Sequence, residues 1–260
     1  MTKRTKGVHP PRVGKSFFIG YAPLPSVDRR SLVFGSAAVI AGAGGLAWAM
    51  GSKQAGAGFG AWDMGTQVAL TGYVQVEPYA AIRVVEEGAV RTVLLGCETK
   101  CGARARLEEI GFNNGAATVR GTLMQRGRYR MLATGTGSDW ITSAEISPAP
   151  APVAERLGAA TLRGEILDSK CWFGAMRPNE GLSHKACATL CIANGVPPYF
   201  GVRDASGNEQ ALMLTDLEGR SVIAHILPYV AEPVELVGEL VRFDDLVQFR
   251  IDPAQINRLS

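Results

Sequence analysis

The sequence predicts a mainly β protein: two tandem OB-like small barrels preceded by one N-terminal transmembrane helix. Three observations carry this expectation. Period-two alternation recurs in both halves of the 260-residue chain, punctuated by glycine and proline. Segments of the two halves match with their glycines in register, residues 161–167 on 69–75 and residues 235–249 on 118–132. No charged residue interrupts the run from Ser31 to Ser52. A mid-strand glycine at equivalent places reads as a bulge or tight bend, which a coiling barrel needs. The alternative architecture is a pair of packed β-sandwich domains.

Taken in order, residues 1–30 form a basic cytoplasmic arm, with seven lysines and arginines against the single Asp28. The whole chain is only +3, so everything after the arm is net acidic. That distribution leaves no basic surface for nucleic acid in the body of the protein. Residues 31–52 are the transmembrane anchor, since Leu32–Met50 supplies nineteen apolar or small residues, about the ~20 a spanning helix needs. Basic before and acidic after, the span orients the C-terminal body to the periplasmic side of the inner membrane. Arg29-Arg30 ahead of the apolar run also fits twin-arginine export, and Ala47-Trp48-Ala49 imitates a cleavage site, which leaves anchor and cleaved signal both open.

Residues 53–65 read as a glycine-rich tether and residues 66–146 as the first barrel, with strands at 68–76, 81–86, 90–95, 117–125 and 128–134 and a helix at 101–110. Residues 147–159 are a proline–alanine linker, and residues 160–260 are the second barrel. The matched glycines lie 49 residues apart in the first copy (72 to 121) and 74 in the second (164 to 238). The excess is about the length of a segment from Asp168 to Pro198 that only the second copy contains, and that segment holds three of the five cysteines.

Within it, Ser183 is a candidate N-cap, Gly195 a C′ residue, and Pro197 and Pro198 forbid continuation of the helix between. His184, Cys187 and Cys191 fall at i, i+3 and i+7, on one face. With Cys171 they form a candidate metal set suited to zinc, copper or an iron–sulfur centre. A disulfide from Cys171 to Cys187 or Cys191 competes with this; it would close a loop and contribute about 3 kcal/mol. A cycling redox thiol is a third possibility. Cys97 and Cys101 are a further disulfide pair in prospect. His225 reads as a structural histidine, and Trp172, Phe173 and Met176 as residues that pack the insertion onto a barrel. Glu165 and Asp168, three apart on a strand, face opposite sides. Serine–histidine–acid sets, phosphate-binding glycine loops and paired acid–base carboxylates are missing from the pattern, so no catalytic residue is assigned and enzymatic activity has little support.

The pattern G-E-x-x-D-x-x-C followed by H-x-x-C-A-x-x-C-x-x-x-G-x-P falls here on Gly164, Glu165, Asp168, Cys171, His184, Cys187, Ala188, Cys191, Gly195 and Pro197. In this the second half resembles a family of exported bacterial OB-like proteins, over residues 161–259. The resemblance implies an exported OB-like fold and supplies no reaction. The function expected is an accessory or assembly subunit of a membrane redox system, bound to a membrane protein or respiratory-type complex. Competing classes are a disulfide-stabilised structural or interaction protein without cofactor, and a thiol-disulfide oxidoreductase.

Overall fold

The computed structural model describes residues 59–146, 151–203 and 209–259. The basic arm, the predicted anchor and residues 53–58 of the predicted tether lie outside the described residues, as do residues 147–150 of the linker. Among the described residues no helix is long and apolar enough to cross a membrane.

The mainly β expectation holds. Strands β1 (Ala61–Gln75), β2 (Ala81–Glu86), β3 (Ala89–Cys97), β4 (Gly115–Arg126), β5 (Tyr129–Thr134) and β6 (Ile141–Ser143) form the first sheet, with helix α1 (Arg104–Glu109) between β3 and β4. The order is β1-β2-β3-β5-β4-β6, and β4 also pairs with β1, so five strands close into a barrel. The contact of β3 with β5 is parallel and the others are antiparallel. Strands β7 (Ala154–Asp168), β8 (Pro198–Arg203), β9 (Glu209–Asp216), β10 (Pro233–Phe243), β11 (Leu246–Ile251) and β12 (Asn257–Arg258) form the second sheet. Its order, β7-β8-β9-β11-β10-β12, repeats the first, with β10 pairing to both β7 and β11 and with β9 parallel to β11. The strands reach further than the pattern predicted: β1 starts inside the predicted tether and β7 inside the predicted linker.

The glycine match reappears as register. Gly72 faces Ala117 and Val68 faces Gly121; six strands on, Gly164 faces Val234 and Ala160 faces Gly238. At all four glycines a Cβ would meet a neighbouring strand's carbonyl oxygen at 2.0–2.3 Å. The strands approach there more closely than any side chain permits, and this lets the sheets coil. What differs between the copies is the first connection. It is five residues long in the first sheet (76–80) and runs from 169 to 197 in the second, where it carries a π-helical turn (Cys171–Ala175), a 3₁₀ turn (Leu182–His184) and helix α2 (Lys185–Ala193).

All described residues belong to one compact unit, Ala55–Ser260. Each sheet encloses its own core, one around Ile82, Leu95, Leu107 and Trp140, the other around Ile166, Phe200, Leu214 and Phe249. A third core joins them: Leu94, Met124 and Met131 of the first sheet pack with Leu167, Trp172, Phe173, Tyr199 and Met213 of the second. The docking is reciprocal. The β4–β5 hairpin places Arg126 on Glu209 at 2.5 Å and the Tyr129 hydroxyl under the Ala211 amide at 2.9 Å, both on β9. The β10–β11 turn returns Asp244 to Arg83 on β2 at 2.7 Å and Asp245 to the Thr92 amide on β3 at 2.9 Å. Tyr79, in the short first connection, donates to the Leu214 carbonyl at 2.9 Å, while the π-helical turn packs against β1, β4 and β5.

Candidate metal centre

Strand β7 ends at Asp168, which is fully buried. The chain turns immediately, and the Asp168 Oδ1 accepts from the amides of Lys170 at 2.9 Å and Cys171 at 3.3 Å. A carboxylate at a strand end caps the following turn in this way. The other oxygen, Oδ2, is buried with no protein partner. Alternation along a strand would have turned Asp168 away; the change from strand to helical turn at this residue is what aims it at the cysteines.

Helix α2 presents Cys187 and Cys191 one turn apart. Its end is fixed: the Gly195 amide donates to the Ile192 carbonyl at 2.9 Å and the Val196 amide to that of Cys191 at 3.1 Å, with Gly195 at φ +90°. These are the two bonds of a Schellman cap, and Gly195 serves as the C′ residue the sequence predicted. Ser183 does not serve as N-cap. The helix is entered through the 3₁₀ turn, with His184 at the capping position and no side-chain cap.

Four ligand atoms thereby meet: a carboxylate oxygen of Asp168 and the Sγ atoms of Cys171, Cys187 and Cys191 all lie within 4.8 Å of one another. A tetrahedral ion with metal–sulfur bonds of ~2.3 Å needs edges of roughly 3.8 Å, which small side-chain rotations supply. The group can hold a metal ion. Asp168, Cys171 and Cys191 are buried and Cys187 is half-exposed.

This set differs from the predicted one in a single member. Cys171, Cys187 and Cys191 converge as expected, but the fourth member of the group that could hold an ion is Asp168, not His184. The 3₁₀ turn breaks the 3.6-residue spacing that put His184 on the cysteine face. Its ring is buried instead, with Nε2 unpartnered, and burial pulls its pKa below the usual imidazole value. The sequence signal for Asp168 was present in D-x-x-C at a strand end.

The first sheet contributes one feature that the sequence led us to expect and one that spacing could not reveal. Cys97 and Cys101 are joined in a disulfide, while Cys171, Cys187 and Cys191 remain thiols. The loop they tie reaches over to the second copy. Lys100 Nζ donates to Cys187 Sγ at 2.7 Å. Buried Lys170 reaches the opposite way, donating to the carbonyls of Cys97 at 2.6 Å, Glu98 at 2.9 Å and Thr99. Bonding to Cys187 raises the Lys100 pKa, and burial lowers that of Lys170. The Cys171 thiol is pushed far up, first by its hydrogen bond with Cys191 and then by burial. A metal ion bound here must therefore displace protons. Three thiolates, one carboxylate and two ammonium groups together leave a net negative charge that a bound cation offsets.

Trp172 and Phe173 do pack the insertion onto a barrel, and it is the other copy's barrel. Arg126 lies over the Trp172 ring at 3.9 Å, and Tyr129 meets Trp172 edge-on at 5.2 Å. Met176 is different: it is 41% exposed, with Sδ 3.7 Å from Cys187 Sγ. His225 is exposed and far from this role. Comparison with protein-family models, curated proteins and solved structures yields no match.

Proposed function

We propose that this chain is a membrane-anchored, exported accessory or assembly subunit of a membrane redox system, built as two tandem OB-like barrels, which holds one metal ion at Asp168, Cys171, Cys187 and Cys191. The observation that carries the reading is the buried, unpartnered Asp168 Oδ2 within 4.8 Å of three cysteines outside any disulfide. Buried polar atoms without partners are rare in proteins, and a cation is the simplest partner for an oxygen flanked by sulfur. The donor set suits zinc or copper. An iron–sulfur centre fits less well, because bridging sulfides hold cysteines on different irons further apart.

The strand order supports the OB reading, and that fold ordinarily binds oligomers across strands 2–3 and their flanking loops. Here those strands, β2–β3 and β8–β9, receive the other copy's hairpin. Oligonucleotide or oligosaccharide binding at that face is thereby disfavoured. The membrane anchor and the exported location rest on the Leu32–Met50 run and on the charge asymmetry around it.

Metal analysis of the full chain purified from membranes tests the reading. One equivalent of metal is expected, falling by about 10–100-fold in affinity in Asp168→Asn and further in Cys187→Ser. A wild-type protein without stoichiometric metal overturns it. A thiol-disulfide oxidoreductase is the second reading. It is favoured by the Lys100–Cys187 contact, which places a cation on a half-exposed sulfur with Cys191 one turn away.

A further inference from the structure

Met176 brings a further sulfur to the edge of the cluster, in a position the four-ligand site does not require. It follows the π-helical turn with extended backbone (φ −152°, ψ 157°), which carries it out of the packed segment and leaves it largely exposed. Yet its Sδ touches the Sγ of Cys187, the only member of the site that solvent reaches. The two sulfurs sit on the outside, and Cys171, Cys191 and Asp168 sit behind them. A thioether is a neutral, soft donor; it binds copper(I) well and hard or borderline cations poorly. A methionine used only to fill space would be covered by its neighbours.

From this arrangement we infer that Met176 and Cys187 form an entry port for copper(I), which is captured at the surface by thioether and thiolate and passed inward to Cys171 and Cys191. This rests on the metal-site reading above and names the ion. The transfer exchanges ligands only: the bond to Met176 Sδ breaks as bonds to the buried sulfurs form, the thiol protons leave to solvent, and the metal keeps its oxidation state. Lys100, bonded to Cys187, stays as the donor that steadies this sulfur while its other partners change.

The test follows copper(I) uptake by the full chain from a chromophoric copper(I) chelator under anaerobic, metal-free conditions, with zinc uptake measured in parallel. Met176→Leu keeps volume and apolarity, and a melting curve equal to wild type verifies the fold. The expected result is about tenfold slower copper(I) loading in Met176→Leu, with zinc uptake unchanged. Met176→Cys, which restores a soft donor, is expected to recover the rate. Equal copper(I) loading rates for wild type and Met176→Leu overturn the port. A wild-type chain that takes zinc but refuses copper(I) also overturns it, while leaving the metal-site reading intact. If neither ion binds, both fall.

Discussion

Glu165 is a carboxylate kept half-buried beside the insertion, on a cavity of about 430 Å³ that Trp172, Glu180 and Arg203 also line. Its Oε1 accepts from the Gly181 amide at 2.6 Å, but burial outweighs this bond and raises its pKa above the ordinary 4.5. The folded state therefore prefers the protonated acid. The wild-type chain loses stability as pH rises through that raised value, and loses none of it below the unfolded pKa. Glu165→Gln keeps the acceptor and removes the charge. It is expected to be more stable than wild type at pH 7, with the advantage vanishing below about pH 4. Urea unfolding at the two pH values checks this; an equal difference at both removes the charge from the explanation. Single residues also mark how far spacing could be trusted. Cys187 and Cys191 were legible as a pair because helical periodicity survives in α2. His184 was expected beside the cysteines and Asp168 was not, because each sits where one kind of backbone gives way to another, and a side chain's direction there follows local dihedrals, not a period.

At the scale of elements, the loop 97–102 decides how the two copies meet at the site. The Gly102 amide donates to the Asn194 carbonyl at 2.9 Å, and a Cβ on Gly102 would lie 2.0 Å from the Gly195 carbonyl oxygen. Backbone meets backbone there, so nothing flexible can give way. Gly102→Ala is expected to cost about 1–3 kcal/mol and to lift Lys100 off Cys187. Faster alkylation of Cys187 with a lowered melting temperature would show this; an unchanged rate would mean the loop does not cover the thiol. The strand positions in the first copy, the repeat and the length of the insertion could be read from pattern alone, since alternation and glycine register are local. The loop's reach across to α2 could not, because Lys100 and Cys187 are 87 residues apart and no propensity links them.

Across the whole molecule the shared core makes the copies interdependent. Arg126 shows it best: it stacks on Trp172, donates to the Trp172 carbonyl at 3.3 Å and pairs with Glu209, its side chain only 8% exposed. Arg126→Ala should cost about 3 kcal/mol, near the low end for a broken buried pair because Arg203 still holds Glu209. Denaturant unfolding should remain one transition and shift as a whole. Two transitions, only one of them displaced, would show that the sheets fold separately. The reciprocal grip has a further effect on valency. Doubling a module ordinarily doubles what a chain can hold, yet here the front copy surrenders its outer face to shelter the rear copy's long excursion, and its own counterpart shrinks to a five-residue tie bearing Tyr79. Among the described residues, two like halves thus carry one candidate site, which one half supplies and the other walls.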